Sequence, residues 1–179
     1  SKFAEKFPER FYDVGIAEAH ASCFAAGLAA SGSRPFVAIY STFLQRAYDQ
    51  VIHDIALQKL PVVFCIDRAG LVGEDGPTHH GCFDIAYLSA VPKMTIMAPK
   101  DGDEFRSMLF STFKRNLEGP CAIRYPRASV PKPMTNIIED IEWGRWEKTQ
   151  TSGDTVLIAY GTMVTIAREV AEIVKEENE

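Results

Sequence analysis

Apolar positions along the chain fall into short runs, separated by longer stretches in which apolar residues recur at helical spacing. Residues 10–14 (Arg-Phe-Tyr-Asp-Val) predict a short strand stopped at Gly15. Residues 16–30 predict an alanine-rich helix ended by Gly32, with Ala17, Ala21, Phe24, Ala25 and Leu28 on its buried face. Residues 35–40 predict the next strand. Ser41 and Thr42 stand where they can cap a second helix over 43–59, which stops before Pro61. A strand over 62–66 follows, then one or two helical turns within 83–90 and a short strand over 94–97. A third helix over 101–117 is acidic in its first turn and basic in its last, as the helix dipole favours. Gly119-Pro120 then turns the chain into a strand over 121–125.

Strands alternating with helices imply an α/β fold, a parallel β-sheet flanked by helices. Ligands in such sheets bind outside the carboxyl ends of the strands. Residues 15–18, 40–43, 67–79 and 124–127 should therefore share one rim. The third of these belongs to the chemically richest stretch of the chain, residues 67–81. Four glycines and a proline there are joined by Arg68, three carboxylates and two histidines. Packing alone does not call for that mixture, and function concentrates on loops held by a rigid scaffold.

After Arg127 the alternation breaks. Residues 1–128 are read as one domain and residues 129–150, containing Pro131-Lys132-Pro133, as a linker. Residues 151–179 are read as the truncated start of a further domain. A strand over 155–160 and a helix over 164–177 cannot bury a core by themselves.

Composition narrows the function classes. The 179 residues are 46% hydrophobic and 24% charged, enough for a real core. A net charge of −5 argues against nucleic acid as a partner. No apolar run reaches membrane-spanning length, and the opening residues do not read as a signal peptide. Cys23, Cys65, Cys82 and Cys121 form no Cys-x-x-Cys pair and fit a reducing, cytoplasmic setting. No spacing supports a metal site within the chain, and His20, His53 and His80 read as structural neighbours.

Three segments carry a family resemblance. They are Val14-Gly15-Ile16-Ala17-Glu18, the run Tyr40-Ser41-Thr42-Phe43-Leu44-Gln45-Arg46 continuing to Gln50, and Asp67-Arg68-Ala69-Gly70-Leu71-Val72-Gly73 with Asp75-Gly76-Pro77-Thr78-His79. Together they resemble the 1-deoxy-D-xylulose-5-phosphate synthases, thiamine-diphosphate enzymes of the transketolase superfamily. The likeness covers the middle, pyrimidine-binding domain from about Phe7 to Arg127. Ala19 departs from a common glutamine and Ala128 from a common glycine. The resemblance implies a further, N-terminal domain holding the cofactor's diphosphate and Mg²⁺, and a homodimer.

It also implies roles. Glu18 would hydrogen-bond N1′ of the cofactor's aminopyrimidine and act in catalysis. By position alone, satisfying a helix N-terminus is an equal reading. Phe43 would stack on the same ring, although a core phenylalanine is the default. Tyr40 would enter the substrate pocket, and Arg46 would bind a phosphate or merely solvate a helix face. Arg68, with its planar fork of donors, suits a phosphorylated aldehyde or a 2-oxo acid. Asp75 would meet substrate hydroxyls, and a plain ion pair between Arg68 and one of the loop carboxylates is the alternative. His79 can orient or shuttle protons near neutral pH. Arg124 or Arg127 would hold the aldehyde's phosphate, with Arg124 favoured.

The activity so implied is condensation of pyruvate, with loss of carbon dioxide, and D-glyceraldehyde 3-phosphate to 1-deoxy-D-xylulose 5-phosphate, feeding isoprenoid and thiamine synthesis. The chain alone should be inactive. Alternatives are another thiamine-diphosphate enzyme (transketolase or a 2-oxo acid dehydrogenase beta subunit) and a non-catalytic binding module of the same fold.

Overall fold

The structure is a computed structural model that describes residues 1–130, 135, 137–149 and 155–177. Pro131-Lys132-Pro133, residues 151–154 and the last two residues, on which parts of the linker and further-domain readings rest, lie outside the described residues.

The β-branched and aromatic runs become four strands: β1 (Phe36–Tyr40), β2 (Val63–Asp67), β3 (Thr95–Met97) and β4 (Cys121–Arg124). They form one wholly parallel sheet in the order β1-β2-β4-β3. Along the central strands successive side chains go to opposite faces, as the two-residue period of a strand requires. Phe64 and Ile66 of β2 and Ala122 of β4 pack with Leu44, Val51 and Ile55 on one face. Val63, Cys121 and Ile123 pack with Met108 on the other. Both faces are covered, as parallel sheets demand. The register sets Tyr40 beside Asp67 and Ile66 beside Arg124, so the strands end level at one rim.

Around the sheet lie α1 (Lys2–Lys6), α2 (Glu18–Ala30), α3 (Ser41–Leu44), α4 (Tyr48–Gln50), α5 (Asp84–Leu88), α6 (Gly102–Lys114) and α7 (Met163–Glu177). Helix α2 buries Ser22, Ala25, Ala26 and Ala29, a face rotated from the one its larger apolar residues predict. Small side chains let its backbone lie close to the sheet, while Phe24 takes the edge and meets Tyr12 at 5.1 Å. The single helix predicted over 43–59 changes pitch instead. Gln45–Ala47 tightens to a 3₁₀ turn, and Val51–Ala56 widens to π geometry. Leu57 and Leu60 donate five residues back to Ile52 and Ile55. The wider turn puts Val51, Ile55 and Ala56 all in the core.

Two predicted strands do not form. Pro8–Arg10 is a 3₁₀ turn, and Phe11 and Tyr12 beyond it are exposed. Residues 155–160 form neither strand nor helix, and Val156 and Ile158 are 80% and 73% exposed. A strand needs a neighbour to satisfy its backbone, and neither segment has one among the described residues. The thiols divide too. Cys23 and Cys82 are exposed. Burial pushes Cys65 up to about 11 and Cys121 up to about 12, so these two behave as small hydrophobes at neutral pH.

Candidate functional site

Gly15 turns the chain at φ +64°, a conformation glycine adopts freely, and its N–H is held by Asp13 at 2.9 Å. Helix α2 then opens on Glu18, whose side chain is only 12% exposed. Its Oε1 accepts from Arg46 Nη1 at 3.2 Å. The Arg46 guanidinium also lies 5.1 Å from the Phe43 ring. Phe43 is partly buried but belongs to neither apolar core. Its ring stacks on Tyr40 at 5.5 Å and meets His79 edge-on at 5.4 Å.

Arg68 also meets Tyr40, its guanidinium 3.8 Å from the ring centroid. Arg68 adopts φ +59°, unusual for a residue with a side chain and a mark of local strain. Two carboxylates hold it there: Nη1 donates to Asp67 at 2.6 Å and Nε to Asp75 at 2.8 Å. The same Asp75 oxygen stands 3.4 Å from Arg127 Nε. The Arg68–carboxylate pairing foreseen as an alternative is thus present, and Asp75 ties two arginines together. The Arg68 hydrogen bond, aided by the Arg127 charge, holds the Asp75 carboxyl below the usual carboxylate range. Asp75 therefore anchors the loop at every pH above its ordinary value, and the anchor fails as pH falls through the lowered one. Carboxyl-carbon NMR of the protein should read that low value. Arg68→Gln should raise it toward the usual range, and an unmoved Asp75 would refute the account.

The loop is closed by glycines. Gly70 and Gly81 exchange backbone hydrogen bonds, each 2.8 Å. A Cβ on Gly81 would run into the Arg68 carbonyl and the Ser41 side chain, so the loop sits hard against the start of α3. His80 accepts from the Val72 N–H at 3.2 Å, a structural role as expected. His79 is partly buried, with Nδ1 3.0 Å from Thr78 Oγ1.

Eight of the nine proposed residues form one connected line: Glu18, Arg46, Phe43, Tyr40 with His79, Arg68, Asp75 and Arg127. Arg124 stands apart. Its Nε and Nη2 donate to Asp84 at 3.0 and 3.3 Å, and that carboxylate is 1% exposed. Asp67 and Asp84 were not singled out from the sequence as partners. Asp67 directly precedes Arg68 in the sequence, which is the signal for that pair. For Asp84 the only hint was a carboxylate at the head of an apolar helical turn. Among the described residues no cluster of three metal-ligating side chains occurs, and no helix is long and apolar enough to cross a membrane.

Comparison with known proteins agrees with this geometry. The family described as "Transketolase, pyrimidine binding domain" matches residues 1–133. The chain is 57% identical over 175 residues to the 1-deoxy-D-xylulose-5-phosphate synthase of Thermomicrobium roseum, covering 97% of the chain and 28% of that protein. It is 54% identical over 176 residues to the synthase of Clostridium perfringens, and 55% identical over 176 residues to that of Aquifex aeolicus. Both alignments cover 98% of this chain and 28% of the relative. The chain thus spans little more than a quarter of the curated relatives it matches. Among solved structures it superposes on a split gene transketolase, described as an inactive beta4 tetramer, with TM-score 0.87 and 32% identity over 99% of this chain and 57% of that one. With a parallel sheet, a polar rim and this match over most of its length, the chain belongs to the transketolase pyrimidine-binding domain family.

Proposed function

We propose that this chain is the pyrimidine-binding part of a 1-deoxy-D-xylulose-5-phosphate synthase. It joins pyruvate, with loss of carbon dioxide, to D-glyceraldehyde 3-phosphate. The observation that carries the reading is the line of contacts from Glu18 to Arg127 along one rim, with a recessed carboxylate and a stacked aromatic pair at one end and paired arginines at the other. In this reading residues 1–128 form the domain, 129–150 the linker and 151–179 the start of a further domain. The protein works as a cytoplasmic homodimer.

The donor set fits the aminopyrimidine of thiamine diphosphate. Glu18 is the recessed carboxylate that would meet N1′, and Phe43 is an aromatic ring not used by either core. When bound, that cofactor supplies carbanion chemistry. The chain's own residues do the rest. Glu18 holds and moves a proton at N1′, and Arg46 keeps the carboxylate in place until the ring arrives. Phe43 orients the ring and excludes water, while Tyr40 walls the pocket. His79 orients protons beside Phe43. Arg68 binds the anionic ends of the substrates with donors left over from Asp67 and Asp75. For the aldehyde's phosphate the geometry favours Arg127 over Arg124: it is 45% exposed, with one ion pair at 3.4 Å among the described residues, whereas Arg124 spends its fork on Asp84. Mg²⁺ and the diphosphate belong to the N-terminal domain in this reading.

The test uses the full-length protein with thiamine diphosphate, Mg²⁺, pyruvate and D-glyceraldehyde 3-phosphate, followed by product mass. A five-carbon phosphate is expected from it and no turnover from the isolated 179-residue chain. The split transketolase, an inactive tetramer, supports the second expectation. Carbon dioxide without that product would indicate a sister enzyme, and no chemistry at all a binding module.

A further inference from the structure

Helix α5 follows the loop of residues 67–81 and reaches the rim at two places without belonging to the line of contacts there. Asp84 in its first turn holds Arg124, at the end of β4, through hydrogen bonds of 3.0 and 3.3 Å. One turn later the Tyr87 hydroxyl donates to the Ser41 carbonyl at 3.1 Å. Residues three apart on a helix are neighbours on its surface, so one short helix ties the sheet to the start of α3. Tyr87 is itself held. The Tyr48 hydroxyl donates to its carbonyl at 2.9 Å, and the two rings meet edge-on at 5.4 Å. Burial, aided by the Asp84 charge, pushes the Tyr87 phenol well up, so it remains a donor at neutral pH.

Ser41 is the joint of the rim line. Tyr40 precedes it, stacking on Phe43 at 5.5 Å and meeting the Arg68 guanidinium at 3.8 Å. Gly81 closes on the same residue from the loop side. A Cβ there would stand 2.5 Å from the Ser41 Cβ and strike the Arg68 carbonyl. Ser41, only 1% exposed, is thus gripped between the Tyr87 donor and the bare face of Gly81. The Tyr87 ring packs on the larger core, and a phenylalanine would do the same. Only the hydroxyl reaches Ser41.

We propose that Tyr87 is a positioning residue for the reaction: with Gly81 it seats Ser41, and so fixes the Phe43 ring relative to Arg68. The inference rests on the reading of the rim given above. A misplacement of about 1 Å at a reacting group can cost about 10²-fold in rate. In the full-length protein Tyr87→Phe is expected to lower kcat by about tenfold or more. The KM for the aldehyde should stay near that of the parent, because Asp67 and Asp75 still hold Arg68. The melting temperature should fall by a few degrees at most, the loss of one hydrogen bond. Gly119→Ala is the control, since a Cβ there meets the Lys93 Cβ at 2.8 Å, before β4 begins and away from the rim. It should lower the melting temperature and leave kcat unchanged. Gly81→Ala, which displaces the Arg68 carbonyl, should raise the Asp75 carboxyl value in the NMR titration, a readout that needs no turnover. An unmoved Asp75 overturns the inference, as does an active parent whose kcat Tyr87→Phe matches. So does a loss of rate in Gly119→Ala equal to that in Tyr87→Phe. A parent without turnover overturns the reading of the rim and this inference with it. Should Gly81→Ala fail to fold, Tyr87→Phe decides.

Discussion

Glu18→Gln in the full-length protein is expected to slow turnover by about 10²–10⁴-fold, the usual worth of a positioned acid–base group, while the fold stays intact. Glutamine keeps the size and the hydrogen-bonding reach of the side chain but cannot give up or carry the proton that the pyrimidine requires. The geometry limits the structural damage. Glu18 touches Arg46, whose side chain is 63% exposed, and pairs of that kind contribute about 0–1 kcal/mol. Helix α2 is anchored by Ser22, Ala25, Ala26 and Ala29, none of which touches the rim chemistry. The loss should therefore fall on kcat, with a near-normal KM for pyruvate and an unchanged melting temperature. If Glu18 merely served the helix N-terminus, the pattern would reverse, with a lowered melting temperature and a rate within tenfold of the parent. Steady-state kinetics beside thermal unfolding separates the two.

Much of this architecture was legible because its strands announce themselves twice, by apolar runs and by the punctuation after them. Residues 35–40, 62–66, 94–97 and 121–125 all form strands to within a residue or two. They lie next to one another in the sheet, so local preference and long-range pairing agree. Residues 10–14 and 155–160 carry the same local signal and find no partner strand among the described residues, because pairing depends on a neighbour that no local pattern reveals. Helix pitch was hidden for a related reason. The π turn at Val51–Ala56 is selected by how three side chains reach the core, and periodicity cannot foresee that. At the rim, residue types pointed to the right loop, and the register then drew separate segments level. Which cation meets which carboxylate was not readable, since Arg124 and Asp84 lie 40 positions apart and come together only through the sheet.

That pair leads to the second large effect. Arg124→Ala should destabilise the full-length protein by about 3–5 kcal/mol, the cost of leaving a buried charge without its partner. Asp84 is 1% exposed, and Arg124, itself 12% exposed, covers it with two hydrogen bonds. Among the described residues only the Ile85 N–H would remain to the carboxylate, at 2.8 Å. Arg127→Ala removes a guanidinium that is 45% exposed and should barely move the melting temperature. It should instead raise the KM for the phosphorylated aldehyde. The two arginines are therefore expected to divide between folding and substrate binding. If Arg124 held the phosphate, Arg124→Met combined with Asp84→Leu would restore stability and still lose affinity for the aldehyde. If its work is to neutralise Asp84, the double change should recover most of the lost stability, since an apolar pair of similar size can replace a buried ion pair at little cost, and the KM should stay close to that of the parent. Thermal unfolding and aldehyde kinetics on the single and double variants distinguish the two. A raised KM in the refolded double variant would return the phosphate to Arg124.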